Sequence, residues 1–256
     1  MKLMVNGKVV TEPLSLPFSL SFIRGDGLFE TILGIDEKII AWQRHYERLT
    51  KSAEKVLITI PAKIDLEVGI NQLLTGVVGR SRIRVAVLAD GNWLIAIEQL
   101  GEGENLPSLI KMSQVINSNA PLSGVKSISY GASMLAVRQA QSRGYTDGVY
   151  LNQDGYVVET GSANIVVLKG SEFITPSLES GCLPGITRQI LINNFDVSEK
   201  LFTWDEMLTC NAIYLCSSIR LLIPVTKVED KLFEPNQLGE KLIGELNQLI
   251  RSKIEL

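Results

Sequence analysis

Near the middle of the 256-residue chain, Lys126 stands in the run Gly124-Val125-Lys126-Ser127-Ile128-Ser129-Tyr130. Its neighbours are Val125, Ile128 and Tyr130, and no other charge lies in the run. An ammonium held among apolar groups loses solvation, and its neutral amine becomes a usable nucleophile. A surface lysine at a helix entrance fits the same residues. Other residue types suited to chemistry are spread along the chain. His45 and Arg48 are three apart on a helical stretch and therefore share a side, where a solvated face is the usual outcome. Arg82 and Arg84 alternate on one strand face. Two arginines there repel unless an anion or a carboxylate sits nearby. Gly185-Ile186-Thr187 at a helix start offers backbone N–H groups, a hydroxyl and the positive end of the helix dipole. That is either a phosphate site or an ordinary cap. Ser217 and Ser218 place hydroxyls at the end of a buried strand.

The elements that must carry these groups are legible from periodicity. Leu3 to Val10 reads as a hairpin turning at Asn6-Gly7. Arg24-Gly25-Asp26-Gly27-Leu28-Phe29-Glu30-Thr31 is a glycine-rich turn entering an alternating strand. The glycines serve either a tight turn or the close approach of a ligand to the backbone. Ile39 to Ala41 is a short strand. Trp42 to Val56 has helical spacing with Tyr46, Leu49, Ala53 and Val56 as its core stripe, and Lys63 to Val78 is a second amphipathic helix. Ser81 to Leu88 and Trp93 to Glu98 are strands that pair across Asp90-Gly91-Asn92.

Gly101 to Pro107 is a loop, followed by a strand from Leu109 to Val115. The polar stretch Asn117–Ser123, with its proline, predicts a linker. The expected division is a small domain over 1–116, a linker over 117–123 and a larger domain over 124–256. In the larger part a helix runs from Ala132 to Arg143 and ends at Gly144. Strands at 148–152 and 156–160 flank an Asp154-Gly155 turn. Further strands lie at 165–169, 172–175 and 212–216. A helix starts at Gly185, and a last one spans Pro235 to Ile250.

Composition narrows the function. The chain is 45% hydrophobic and 21% charged, with a net charge of −3, and it has no basic run, which argues against nucleic acid. No apolar run reaches membrane-span length. Met1 to Gly7 has no signal-peptide pattern, and three cysteines without metal spacing read as reduced thiols, so a cytoplasmic protein is expected. With a single histidine, a histidine-rich metal site is not expected.

Five blocks, in order, resemble the fold-type IV pyridoxal-phosphate enzymes. They are Arg24–Thr31, His45–Leu49, Pro121–Lys126, Asp154–Ile165 and Leu183–Arg188. That group holds branched-chain aminotransferases, D-amino-acid aminotransferases and aminodeoxychorismate lyases. The resemblance implies an α+β, two-domain chain, with a small N-terminal α/β domain and a larger C-terminal domain built on a β-barrel-like sheet with flanking helices. It implies pyridoxal 5'-phosphate as cofactor, a small-molecule amine substrate and a homodimer. By the same resemblance Lys126 is the lysine bonded to the cofactor, Arg48 the phosphate arginine, and Ile186, Thr187 and Ser218 (or Ser217) the rest of the phosphate cup. Glu159 meets the pyridine nitrogen, where a carboxylate keeps the ring an electron sink. Tyr130 and Asn164 are further cofactor contacts.

Gly25-Asp26-Gly27, the tyrosine four residues after Lys126 and the Asn119–Ser127 run resemble the lyase and D-aminotransferase branch. The run itself leans to the lyases. One departure concerns substrate. These enzymes often carry Arg-Gly after the strand that ends near Leu88, and this chain has Ala89-Asp90-Gly91. Arg82 or Arg84 then becomes the candidate for the substrate carboxylate. The expected activity is that of a 4-amino-4-deoxychorismate lyase, with an aminotransferase on D-amino or branched-chain amino acids as the alternative. A non-catalytic phosphate binder is the reading from another class, and it has no use for Lys126 and Glu159 together.

Overall fold

The computed structural model describes residues 1–10, 19–101 and 106–252. Its contacts divide the chain into two compact units. The first contains Met1–Gly103 and Val125–Tyr130, and the second contains Glu104–Gly124 and Gly131–Ser252. This grouping differs from a division at 116–124. Residues up to Gly124 stay with the second unit, while Lys126 and its neighbours belong to the first. The reason is backbone pairing of the 126–128 segment, described below.

In the first unit, β1 (Lys2–Val5) and β2 (Lys8–Val9) form the expected hairpin. Asn6 and Gly7 turn it with φ of 46° and 79°, the positive pair that such a tight turn requires. α1 (Leu20–Arg24) is capped by the Ser19 side chain and ends at Gly25, whose φ is 67°. β3 (Gly27–Ile35), β4 (Lys38–Ile39), α2 (Trp42–Val56), α3 (Lys63–Leu74), β5 (Arg80–Leu88) and β6 (Trp93–Gln99) follow. α3 stops at Leu74 rather than Val78, because Gly76 and Gly79 both take positive φ. The six strands order as β2-β1-β6-β5-β3-β4. The core packs Leu28, Ile32, Ile83, Val85 and Ile95 of the sheet with Trp42, Leu49, Leu66 and Ile70 of the helices.

The second unit begins with β7 (Ser108–Ile116), α4 (Gly131–Ser142), β8 (Asp147–Asn152), β9 (Val157–Thr160), β10 (Asn164–Lys169) and β11 (Glu172–Pro176). A 3-10 turn (Leu178–Ser180) leads to α5 (Ile186–Asn194), β12 (Val197–Lys200), α6 (Trp204–Leu208), β13 (Ala212–Ser217) and β14 (Leu221–Pro224). The hairpin β15 (Lys227–Val228) and β16 (Lys231–Leu232) and the helix α7 (Gln237–Ser252) complete it. Two five-stranded sheets, β12-β11-β10-β13-β14 and β16-β15-β7-β8-β9, share one core. Leu109, Val149, Leu151 and Val157 of one sheet meet Ile165, Val167, Ile213 and Leu215 of the other. This is the α+β, two-unit architecture with a curled, barrel-like pair of sheets.

Candidate active site

Lys126 is fixed to the start of β3. The Phe29 N–H donates to the Lys126 carbonyl at 2.9 Å, and the Ile128 N–H donates to the Gly27 carbonyl at 3.0 Å. β4 pairs only with the far end of β3, at Gly34 and Ile35, so the edge beside Gly27 to Phe29 is open to the lysine segment. The glycines make room for that segment. A Cβ on Gly27 would lie 2.5 Å from the Val87 carbonyl oxygen and 3.0 Å from Ile128 Cδ1, and one on Gly25 would lie 2.8 Å from Ser129 Oγ. Gly25 makes the turn that one sequence reading expected, with φ of 67°, and both glycines are closely packed as well.

The Lys126 ammonium lies 4.2 Å from the Phe29 ring centroid and 5.3 Å from that of Tyr130. Those two rings pack edge to face at 5.2 Å. Ring faces attract a cation, which acts in the opposite sense to the desolvation expected from apolar neighbours. Pairing of Phe29 with Ala86 and of Thr31 with Arg84 puts Arg84 one register step along the same sheet face. Arg82 is already engaged, donating to Glu98 at 3.1 Å. Arg84 forms no ion pair among the described residues. Partial burial and repulsion from Arg82 lower its pKa from the ordinary arginine range.

His45 and Arg48 are not on a solvated face. Both are buried, and the cause is Glu30, which is 1% exposed on the helix-covered side of β3. Glu30 accepts from Arg48 Nε at 2.8 Å and Nη2 at 2.5 Å, and from His45 Nδ1 at 2.7 Å. Burial alone would raise the Glu30 pKa, but the charge and hydrogen bonds of Arg48, then His45, bring it down to about 2. Burial lowers the His45 pKa, and the charges of Arg48 and Lys126 add to that, against the opposing pull of Glu30. Neutral His45 therefore donates from Nδ1 to a carboxylate that stays ionised. Sequence reasoning quoted Glu30 without giving it a role. The available signal was a carboxylate between Leu28 and Ile32 on the inward face of an alternating strand.

The second unit gathers the remaining candidates around the first turn of α5. Glu159, on β9, accepts from Asn164 Nδ2 at 3.0 Å and from the Leu183 N–H at 3.1 Å, both at Oε2. The same Asn164 amide donates to the Leu183 carbonyl at 3.0 Å. Gly185 caps α5 with no side-chain hydrogen bond, so the first N–H groups, next to buried Ile186 and Thr187, are left for other acceptors. Asn164 pairs with Cys216 across β10 and β13, which sets Ser217 and Ser218 at the neighbouring strand end. There Ser217 Oγ accepts the Arg220 N–H at 3.2 Å.

Asp147, missed from sequence, is buried beneath the turn between β9 and β10. It takes hydrogen bonds from Thr160 Oγ1, Ser162 Oγ and the N–H groups of Gly148 and Gly161. Arg220 Nη1 donates to Ser162 Oγ at 3.1 Å, which ties the two turns together. The three cysteines supply no thiolate. Burial pushes Cys182 up to about 11 and Cys216 up to about 12, and raises Cys210 as well. Among the described residues no group of three or more His, Cys, Asp or Glu could hold a metal ion, and no helix is long and apolar enough to cross a membrane.

Comparison with known proteins gives a consistent frame. A profile of the amino-transferase class IV family matches residues 27–228. The chain is 26% identical over 281 residues to a Methanocaldococcus jannaschii protein provisionally named a branched-chain-amino-acid aminotransferase, covering 99% of this chain and 97% of the relative. It is 28% identical over 257 residues to the aminodeoxychorismate lyase of Bacillus subtilis, covering 88% of this chain and 86% of the relative. Among solved structures, the branched-chain aminotransferase of Thermoproteus uzoniensis superimposes with a TM-score of 0.91 at 22% identity, covering 99% and 95% of the two chains. At that identity the match establishes the fold alone.

Proposed function

We propose, from the premise that this chain belongs to the class IV aminotransferase family of pyridoxal-phosphate enzymes, that it cleaves 4-amino-4-deoxychorismate to 4-aminobenzoate and pyruvate. The residues fit the cofactor by the chemistry of their donor set. An amine is clamped by backbone to β3, a carboxylate is oriented by two donors, and a helix start lacks a side-chain cap. Lys126 would hold the cofactor covalently, and Glu159 would sit at its ring nitrogen. Arg48, the Ile186 and Thr187 N–H groups, the Thr187 hydroxyl and Ser218 (or Ser217) would hold its phosphate. Tyr130 and Asn164 would contact it. When bound, the cofactor supplies an electron sink for charge at the amine-bearing carbon.

The chain's own residues do the rest. Lys126 Nζ, as a free amine beside the bound substrate, would remove the proton from the amine-bearing ring carbon. The ring C–O bond to the enolpyruvyl group then breaks, the ring becomes aromatic, and the departing enolpyruvate takes up a proton to give pyruvate. The observation that carries a carboxylate-bearing substrate, as this reading requires, is the state of the two strand arginines. Arg82 is spent on Glu98, whereas Arg84 forms no ion pair on the face that also carries Phe29 and Lys126. A carboxylate-bearing substrate would meet its counter-charge there. The likeness to the Bacillus lyase over most of both chains supports the choice.

The second reading, an aminotransferase on D-amino or branched-chain amino acids, draws on the Methanocaldococcus relative. It shares the proton removal by Lys126; Lys126 would then be the residue that carries that proton, the bound cofactor would retain the amino group, and water would supply the oxygen of the departing keto acid. The test is incubation with 4-amino-4-deoxychorismate while following both products. Equal amounts of 4-aminobenzoate and pyruvate, lost in Lys126→Ala, are expected. No product, from protein that transaminates amino acids to 2-oxoglutarate, would favour the second reading. In either case the protein is expected to act as a cytoplasmic homodimer.

A further inference from the structure

Burying an ion pair is a poor way to stabilise a core, since the desolvation of both charges offsets most of their attraction. The first unit nevertheless buries Glu30, His45 and Arg48 together, at 1%, 1% and 6% exposure, and gives the carboxylate three short contacts. The geometry of those contacts is directional. A guanidinium is a rigid planar fork, and Glu30 takes its Nε and Nη2 donors with separate oxygens, at 2.8 and 2.5 Å. That two-point grip sets the plane of the guanidinium, and with it the lines along which its other N–H groups can donate. His45 Nδ1, at 2.7 Å from Oε2, in turn fixes the carboxylate. One turn of α2 separates His45 from Arg48, so both reach the same inward residue of β3.

We infer that Glu30 is a positioning residue that aims Arg48 at the cofactor phosphate, with His45 holding Glu30 in register. The inference rests on the reading of Arg48 as the phosphate arginine. It adds a residue whose effect depends on the phosphate and on nothing else in the cofactor. A purely structural ion pair would show no such selectivity.

The test compares equilibrium binding of pyridoxal phosphate and of pyridoxal, which lacks the phosphate, to the cofactor-stripped full chain. Glu30→Asp keeps a charge beside the buried guanidinium but withdraws it by one methylene. It is expected to weaken pyridoxal phosphate on the order of tenfold, the effect of losing one charge-assisted contact, and to leave pyridoxal unchanged. His45→Asn removes the tether without touching the pair and should shift the same ratio, by less. Equal weakening of both ligands, or unchanged binding of pyridoxal phosphate, in Glu30→Asp overturns the inference. Arg48→Met separates this failure from that of the underlying reading. If it too fails to discriminate the two ligands, Arg48 is not the phosphate arginine. If it discriminates and Glu30→Asp does not, Arg48 needs no positioning by Glu30.

Discussion

Replacing Gly185 with alanine probes how Glu159 is held. Gly185 has φ of −65° and ψ of 140°, an ordinary conformation for any residue, so the cost is steric and not a backbone cost. A Cβ there falls 1.9 Å from Asn164 Oδ1 and 3.1 Å from Asn164 Cγ. The amide must retreat by roughly 1.5 Å to restore an ordinary contact near 3.4 Å. Both bonds of Asn164 Nδ2, to Glu159 and to the Leu183 carbonyl at 3.0 Å, break over that distance. A hydrogen bond to a carboxylate contributes about 1.5–3 kcal/mol and a neutral one about 1, so with relaxation the substitution should cost about 2–3 kcal/mol. Glu159 keeps the Leu183 N–H, so cofactor binding should survive while turnover falls. The decisive assay is a double-mutant cycle by urea unfolding. In an Asn164→Ala background the obstruction is gone, and Gly185→Ala should cost close to nothing. An equal cost in both backgrounds would show that the glycine is not there to admit Asn164.

Acid should act through the Glu30 cluster. The Glu30 pKa is about 2 in the folded chain against 4.5 in its unperturbed state, so its contribution is complete above 4.5 and is lost as pH falls towards 2. The size is about 3 kcal/mol at 1.36 kcal/mol per unit. His45, also depressed, favours protonation of the unfolded chain below its ordinary 6.5, so stability falls with acid there too; urea midpoints at pH 7, 5.5 and 4 should descend in two stages, and His45→Asn should flatten the first. Leu57, exposed at the end of α2 with φ of 58°, occupies a conformation suited to glycine, and Leu57→Gly should raise stability by about 1 kcal/mol in a thermal melt. Arg84→Met should raise KM for the carboxylate-bearing substrate by tenfold or more, whereas Arg82→Met, which breaks only an exposed pair, should change it little; the reverse order would move the carboxylate site to Arg82.

The strands and long helices of this protein were readable because they carry strict periods. α2 runs from Trp42 to Val56 as its spacing requires, and β5 alternates buried Ile83, Val85 and Val87 against Arg82 and Arg84. What escaped reading has little pattern to offer. β12 is four residues long and is held as a strand by parallel pairing with β11, and α6 spans five residues under a capping box between Thr203 and Glu206. The two-residue strands β15 and β16 depend on each other and on β7. Their conformations come from tertiary pairing, which overrides weak local preference. The unit boundary escaped for a related reason. A polar, proline-containing stretch marks a surface connection, but it cannot tell which sheet edge the following residues will join.

The candidate site divides along the same line. Residues with a distinctive local setting, such as Lys126, Glu159 and the Gly185-Ile186-Thr187 start, could be singled out in the chain. Partners that matter only through distance could not. Glu30 is separated from Arg48 by 18 positions, and its role follows from facing the helix rather than the other side of β3. A shift of one residue in the register of β3 would turn the carboxylate to the face that carries Phe29, leaving buried Arg48 without its counter-charge and His45 without its hydrogen-bond acceptor. The glycines at 25 and 27 teach the converse. In the sequence they fit either a tight turn or the close approach of a ligand, and in the fold the atoms that crowd them are Ser129 Oγ, Ile128 Cδ1 and the Val87 carbonyl. Their small size is needed so that the segment carrying Lys126 can lie against β3. On this view Gly27→Ala should disturb the lysine's position before it disturbs any ligand. Cofactor linkage to Lys126 should be lost along with thermal stability, and intact linkage in a destabilised Gly27→Ala protein would refute that order of effects.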